Sequence, residues 1–299
     1  MATAIKIPTN NILNILIGIG AFSILVFYFS ISNDDKMIQI VITLILAEPH
    51  FFLTVPLLFL YKKLFIEDKF FFIYLPLITL IVLIYLFFYQ TNLFYLVFLI
   101  SNLFHVNRQS QGVVKLSIKN KSLKYTNLLW IYFTIFSLFF ILPHLVEALK
   151  TNIEYKILVS LLAFISFLLL IKFLDFALKS KETYLTLSGL LIFWPALFFD
   201  NLIYAMGAGI SIHYLQYIFL TGKIISKQYE KSKIPIILIS IFCYCIFSTY
   251  ALSGSFSLNK TSIFILIPTL LQMFHFYYDS FIWRMSNPII RERIVSSFN

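Results

Sequence analysis

Four histidines pose the chemical question. His50, His105, His213 and His275 each sit in a long apolar run, nine to eleven residues before a cationic or tyrosine-cation stop. Those stops are Tyr61-Lys62-Lys63, Lys115, Lys223 and Arg284. An ionisable side chain in such a run is costly to keep and is by default a functional hypothesis. Several imidazoles without a thiol suit iron, copper or zinc. Each histidine also has a polar companion on its own helical face. Thr54 is four after His50, Gln109 four after His105, Gln216 three after His213 and Asp279 four after His275. A metal-bound imidazole hands its second N–H to a nearby acceptor, so Gln109, Gln216 and Asp279 are expected to orient the ligands. Glu48 and Tyr217 lie near the same level as candidate further ligands. Asn107 and Arg108, directly after His105, are candidates for facing a substrate, with snorkelling the rival role. His144, beside Pro143 and Glu147, is expected at an interface rather than in this group.

The elements that must position these residues follow from composition. The chain of 299 residues is 60% hydrophobic and only 12% charged, against about 25% charged in soluble domains. Apolar stretches of membrane-spanning length recur from end to end. The expected fold is an all-α, polytopic membrane bundle forming one domain over residues 1–299. Ten spans fit, at roughly 12–31, 37–61, 70–89, 92–115, 126–149, 154–178, 184–199, 202–222, 234–252 and 261–284. With that count, seventeen Lys and Arg fall in inner segments and four in outer loops. The bias predicts that both termini face the cytoplasm. The second, fourth, eighth and tenth spans then run inward, and each carries its histidine about 15 Å from the inner end. That is the middle of a ~30 Å hydrocarbon core.

The net charge of +10 is explained by loops beside anionic lipid, and no basic stretch suggests a nucleic-acid partner. No dinucleotide-binding or phosphate-loop pattern occurs. Cys243 and Cys245, two apart on one helix, point to different sides and neither bridge nor chelate. The first apolar run has no small-residue cleavage site after it and reads as a retained helix.

In order and spacing, His50, His105, His213 and His275 resemble the Brp/Blh family of membrane-embedded, iron-dependent β-carotene 15,15′-dioxygenases. Pro49-His50 resembles that family's first Pro-His element, and His275 with Asp279 resembles its late histidine followed by aspartate. The resemblance covers most of the chain and implies Fe(II), O₂ and cleavage of a carotenoid to retinal. This sequence departs from the family at Glu48 and Phe51-Phe52, where small residues flank the family's first histidine. It departs again at Tyr217, which stands where the family pairs a second histidine four after the first.

The expected function is a non-haem-iron oxygenase acting on a lipophilic substrate in a membrane, the bacterial inner (plasma) membrane being the expected one. Oxidative cleavage of a carotenoid-like polyene is the leading guess. Copper and zinc remain as alternative metals. The rival readings are a proton-coupled transporter or channel using Glu48, Arg108, Asp279 and the histidines, and histidine-ligated haem.

Overall fold

A computed structural model describes residues 40, 42–117, 123–146, 149, 151–174, 189–190, 192–197, 202–252, 263–284 and 287–298. Among these residues the chain is helical, with no strand. The helices are α1 (Thr43–Leu60), α2 (Lys62–Glu67), α3 (Phe70–Tyr89), α4 (Thr91–Ser117), α5 (Leu123–Leu145), α6 (Ile153–Leu174), α7 (Leu202–Gln228), α8 (Ile234–Leu252), α9 (Ile263–Ile282) and α10 (Pro288–Phe298). Among the described residues, a 3₁₀ turn covers Trp194–Leu197. The expected spans at 70–89 and 234–252 coincide with α3 and α8. Helix α7 continues six residues beyond the expected stop at Gly222, and the short α2 and α10 occupy stretches expected to be loop. The expected first span lies outside the described residues, as does half of the seventh.

Three of the described helices, α1, α3 and α8, are long and apolar enough to cross a membrane. The outward faces of α3 and α8 fit that role. Ile81 and Tyr85 on α3, and Ile236, Ile239 and Phe242 on α8, are all more than half exposed. A soluble protein rarely leaves such contiguous apolar surface bare. Helices α4, α7 and α9 interrupt their apolar sequence with Asn, Gln or His, and together with α1, which carries His50, they bear the candidate site residues.

Two helices begin with a widened π turn, and proline explains both. Pro49 has no N–H to close an α turn, and the turn before it, Thr43–Ala47, is π-helical, with the Glu48 N–H bonded to the Thr43 carbonyl. The same arrangement recurs in α3, where the π turn Phe70–Tyr74 precedes Leu75-Pro76. Pro76 would have served the carbonyl of Phe72 in an α pitch or that of Phe71 in a π pitch. Both carbonyls are taken by α9, from the hydroxyls of Tyr278 (3.1 Å) and Tyr277 (2.7 Å). Proline thus opens two backbone acceptors, and adjacent tyrosines close them.

The described residues fall into two compact units, one within Val106–Gln216 and one made of Asp34–His105 with Tyr217–Asn299. In the second unit, α9 packs on α1, α3 and α8. Its apolar centre is Leu83 and Phe87 of α3, Phe94 of α4 and Leu266 of α9, with Phe87 and Phe94 edge to face at 5.2 Å. In the first unit, α5 packs on α6 and on the 3₁₀ turn. His144 donates from Nε2 to the carbonyl of Ala196 at 2.6 Å, so this half-buried histidine is a tether within its unit. Gly209 of α7 has no room for a side chain, since a Cβ there would lie 1.6 Å from the carbonyl oxygen of Ile192. That is the close approach its glycine-rich surroundings suggest.

Candidate metal centre

The three helices α1, α4 and α9 bring His50, His105 and His275 together inside one unit. Each offers a ring nitrogen, and these nitrogens lie within 4.8 Å of one another. The Nε2 atoms of His275 and His105 are 3.0 Å apart. Two nitrogens bound to one ion at ~2.1 Å and a right angle are separated by about 3.0 Å, so the spacing fits shared ligation. The His50 ring lies 4.4 Å from that of His275, centroid to centroid. All three histidines are at most 5% exposed.

A directed chain of hydrogen bonds sets the orientation of His275. Its Nδ1 is 2.5 Å from Thr54 Oγ1, which is 2.7 Å from Tyr217 Oη. Tyr217 donates to Asp279 Oδ1 at 2.6 Å. With the Tyr217 proton given to Asp279, each hydroxyl gives its one proton onward and receives one. Thr54 therefore donates to Tyr217, and His275 donates from Nδ1 to Thr54. That tautomer leaves the Nε2 lone pair directed at His105, which is the form a metal ligand requires. The second Asp279 oxygen is 4.0 Å from His105 Nε2. Phe51 and Phe276 pack against the rings of His275 and His105, excluding water from one side.

The expected companions are thus redistributed. Thr54, spaced to serve His50 on its own helix, reaches across to His275. Asp279 serves His275 through two intermediates, because a carboxylate one helical turn away stands beside its neighbour rather than in line with the ring edge. Tyr217, expected as a candidate ligand, is the hinge of the chain and is fully buried. Glu48 is two residues from His50, about 200° around the helix, and faces away from it. Its Oε1 accepts from Gln272 Nε2 at 3.1 Å, with Tyr244 and Ser248 of α8 beside it. The sequence reading passed over Gln272 and Ser248. Gln272 had a legible signal, since it precedes His275 by three and Asp279 by seven on one polar face.

The remaining expected residues lie in the other unit. His213 and Gln216 are buried, and His213 stands one turn before Tyr217 on the continuous helix α7. Asn107 accepts from Ser137 at 2.8 Å, tying α4 to α5. Arg108 is exposed and donates to Gln111 at 2.9 Å. The Gln109 amide makes no hydrogen bond among the described residues. Cys245 is buried and Cys243 exposed, both free, as their spacing requires.

A cavity of about 410 Å³ between α1, α3 and α9 ends on Thr54 and His275. Its wall is apolar and aromatic, with Phe51, Phe72, Phe274 and Tyr278 prominent. Cavities of this size and character hold small organic ligands.

No protein-family profile matches the chain, and neither does any curated protein or solved structure.

Proposed function

We propose that the chain is a multi-pass membrane metalloprotein, an iron-dependent oxygenase whose substrate is lipophilic. The convergence of His50, His105 and His275, with the tautomer of His275 set by a closed hydrogen-bond chain, carries this reading. His213 is the proposed fourth ligand, since helix register holds it one turn from Tyr217. The donor set is nitrogen without sulfur, which suits iron, and bound iron would supply activation of O₂. The chain's own part is to hold the ring nitrogens in position, keep water out with Phe51 and Phe276, and lead an apolar molecule to His275 through the aromatic cavity. The leading substrate class is a carotenoid-like polyene. Cleavage of one of its double bonds by O₂ yields two carbonyl groups, each taking one oxygen atom, with no further reductant. Ten spans with both termini in the cytoplasm, in a bacterial inner membrane, complete the proposal.

Metal analysis of the purified protein is the direct test. The wild type should hold close to one iron per chain, and a His105→Ala/His213→Ala double variant should hold none. A metal-free wild type, or unchanged metal in the double variant, removes the reading. The hydrogen-bonded run from His275 to Asp279 also suits proton movement, and pH-gradient-driven flux in proteoliposomes would favour a transporter.

A further inference from the structure

A second cavity, of about 920 Å³, lies within the same unit but away from the histidines, where α1 and α7 end and α8 begins, with Arg293 of α10 beside them. Its two halves differ in chemistry. One wall is apolar, formed by Phe52, Phe59, Ile236 and Ile237, while the rim carries Lys62, Lys63, Lys233 and Arg293. Glu230 is the one carboxylate among the lining residues. Two of the cations are engaged locally, Lys63 with Glu67 at 3.4 Å and Lys233 with Glu230 at 3.2 Å. Lys62 and Arg293 have no ion pair among the described residues. Cations at helix ends ordinarily line a loop and face water. Here they come from three separate stretches of chain and meet over one cavity.

The frame around them is tied down. Gln228 at the end of α7 donates to the Arg293 carbonyl (3.3 Å) and lies 3.1 Å from both Ser296 and Ser297, fastening α10. Tyr229 donates to the Pro56 carbonyl of α1 at 2.7 Å. The Arg293 guanidinium lies 6.0 Å from the centre of the buried Tyr61 ring.

We propose that this cavity binds an anionic phospholipid, with its phosphate held between Lys62 and Arg293 and an acyl chain along Phe52 and Phe59. Charge complementarity selects an anion, and the apolar wall on membrane-length helices selects one that bears a hydrocarbon chain. The inference is independent of the histidine centre.

The test uses the full chain in mild detergent, titrated with phosphatidylglycerol or with phosphatidylcholine of the same acyl chains, and bound lipid is read by native mass spectrometry. Phosphatidylglycerol should bind preferentially. Lys62→Gln/Arg293→Gln should weaken it roughly twenty-five-fold, about fivefold for each charge. The charge-keeping Lys62→Arg/Arg293→Lys variant should restore binding, and this separates loss of charge from misfolding. Equal retention of phosphatidylcholine overturns the proposal, as does unchanged binding in the double Gln variant. Displacement by inorganic phosphate at the concentration of the lipid also overturns it, in favour of a free-phosphate site.

Discussion

Tyr217 is where the centre is most sensitive to a single atom. Its hydroxyl accepts from Thr54 and donates to Asp279, so it links the ring of His275 to the carboxylate that ends the chain. Tyr217→Phe keeps the ring and its packing while removing both bonds. Thr54 can then turn its proton elsewhere, and His275 loses the preference for the ligating tautomer. Loss of such a supporting bond typically costs 10–100-fold in metal affinity. We expect that range for Tyr217→Phe in competition with a chelator, with helix content by circular dichroism unchanged. An unaltered affinity would show that the chain of bonds plays no part in ligation. His50 needs no comparable argument, because its backbone position after Pro49 and the ring contacts with Tyr217 and His275 already confine it.

At the scale of elements, proline placement decides how α9 is seated. The pairing of the Phe71 and Phe72 carbonyls with Tyr277 and Tyr278 follows from the N–H that Pro76 lacks. Tyr278→Phe should therefore destabilise the protein by about 1–3 kcal/mol, the range for leaving a buried acceptor unpaired. In a Pro76→Ala background the same change should cost clearly less, because the new N–H can take up a carbonyl. A double-mutant cycle on thermal unfolding measures the coupling, and strict additivity would sink the explanation. Gly209 makes the complementary point for α7. A methyl group placed 1.6 Å from a backbone carbonyl oxygen has no flexible neighbour to displace. Gly209→Ala should cost at least the ~1–3 kcal/mol typical of overpacking, visible as a lower melting temperature in detergent, whereas Gly112→Ala, with open space around its position, should be tolerated.

For the whole molecule, a metal held by histidines from separate helices would act as a cross-link, stabilising only the folded state. Binding of this kind raises stability by about 2.7 kcal/mol when free metal is at 100 times its dissociation constant. Thermal unfolding should therefore shift upward with added Fe(II) under anaerobic conditions and fall with a chelator. His50→Ala/His275→Ala should abolish both responses, and a chelator-sensitive melt in that variant would place the metal elsewhere. Much of this was legible in the sequence. The helical class, the bounds of α3 and α8, and the candidacy of His50, His105 and His275 follow from apolar run length and from the rarity of imidazole in such runs. These are local properties, readable along one helix at a time. The partners of those histidines were not legible in the same way. An i,i+4 offset says which face a residue shares, yet hydrogen bonding depends on which neighbouring helix presents an atom to that face. Only the packing of α1 and α9 around Tyr217 could send Thr54 to His275, lead Asp279 to the ring through two hydroxyls, and turn Glu48 away toward Gln272. The sequence by itself determined that buried imidazoles on helices would need polar company; the tertiary structure decided which company each one keeps, because distance between helices is a property of the packed core and not of spacing along the chain.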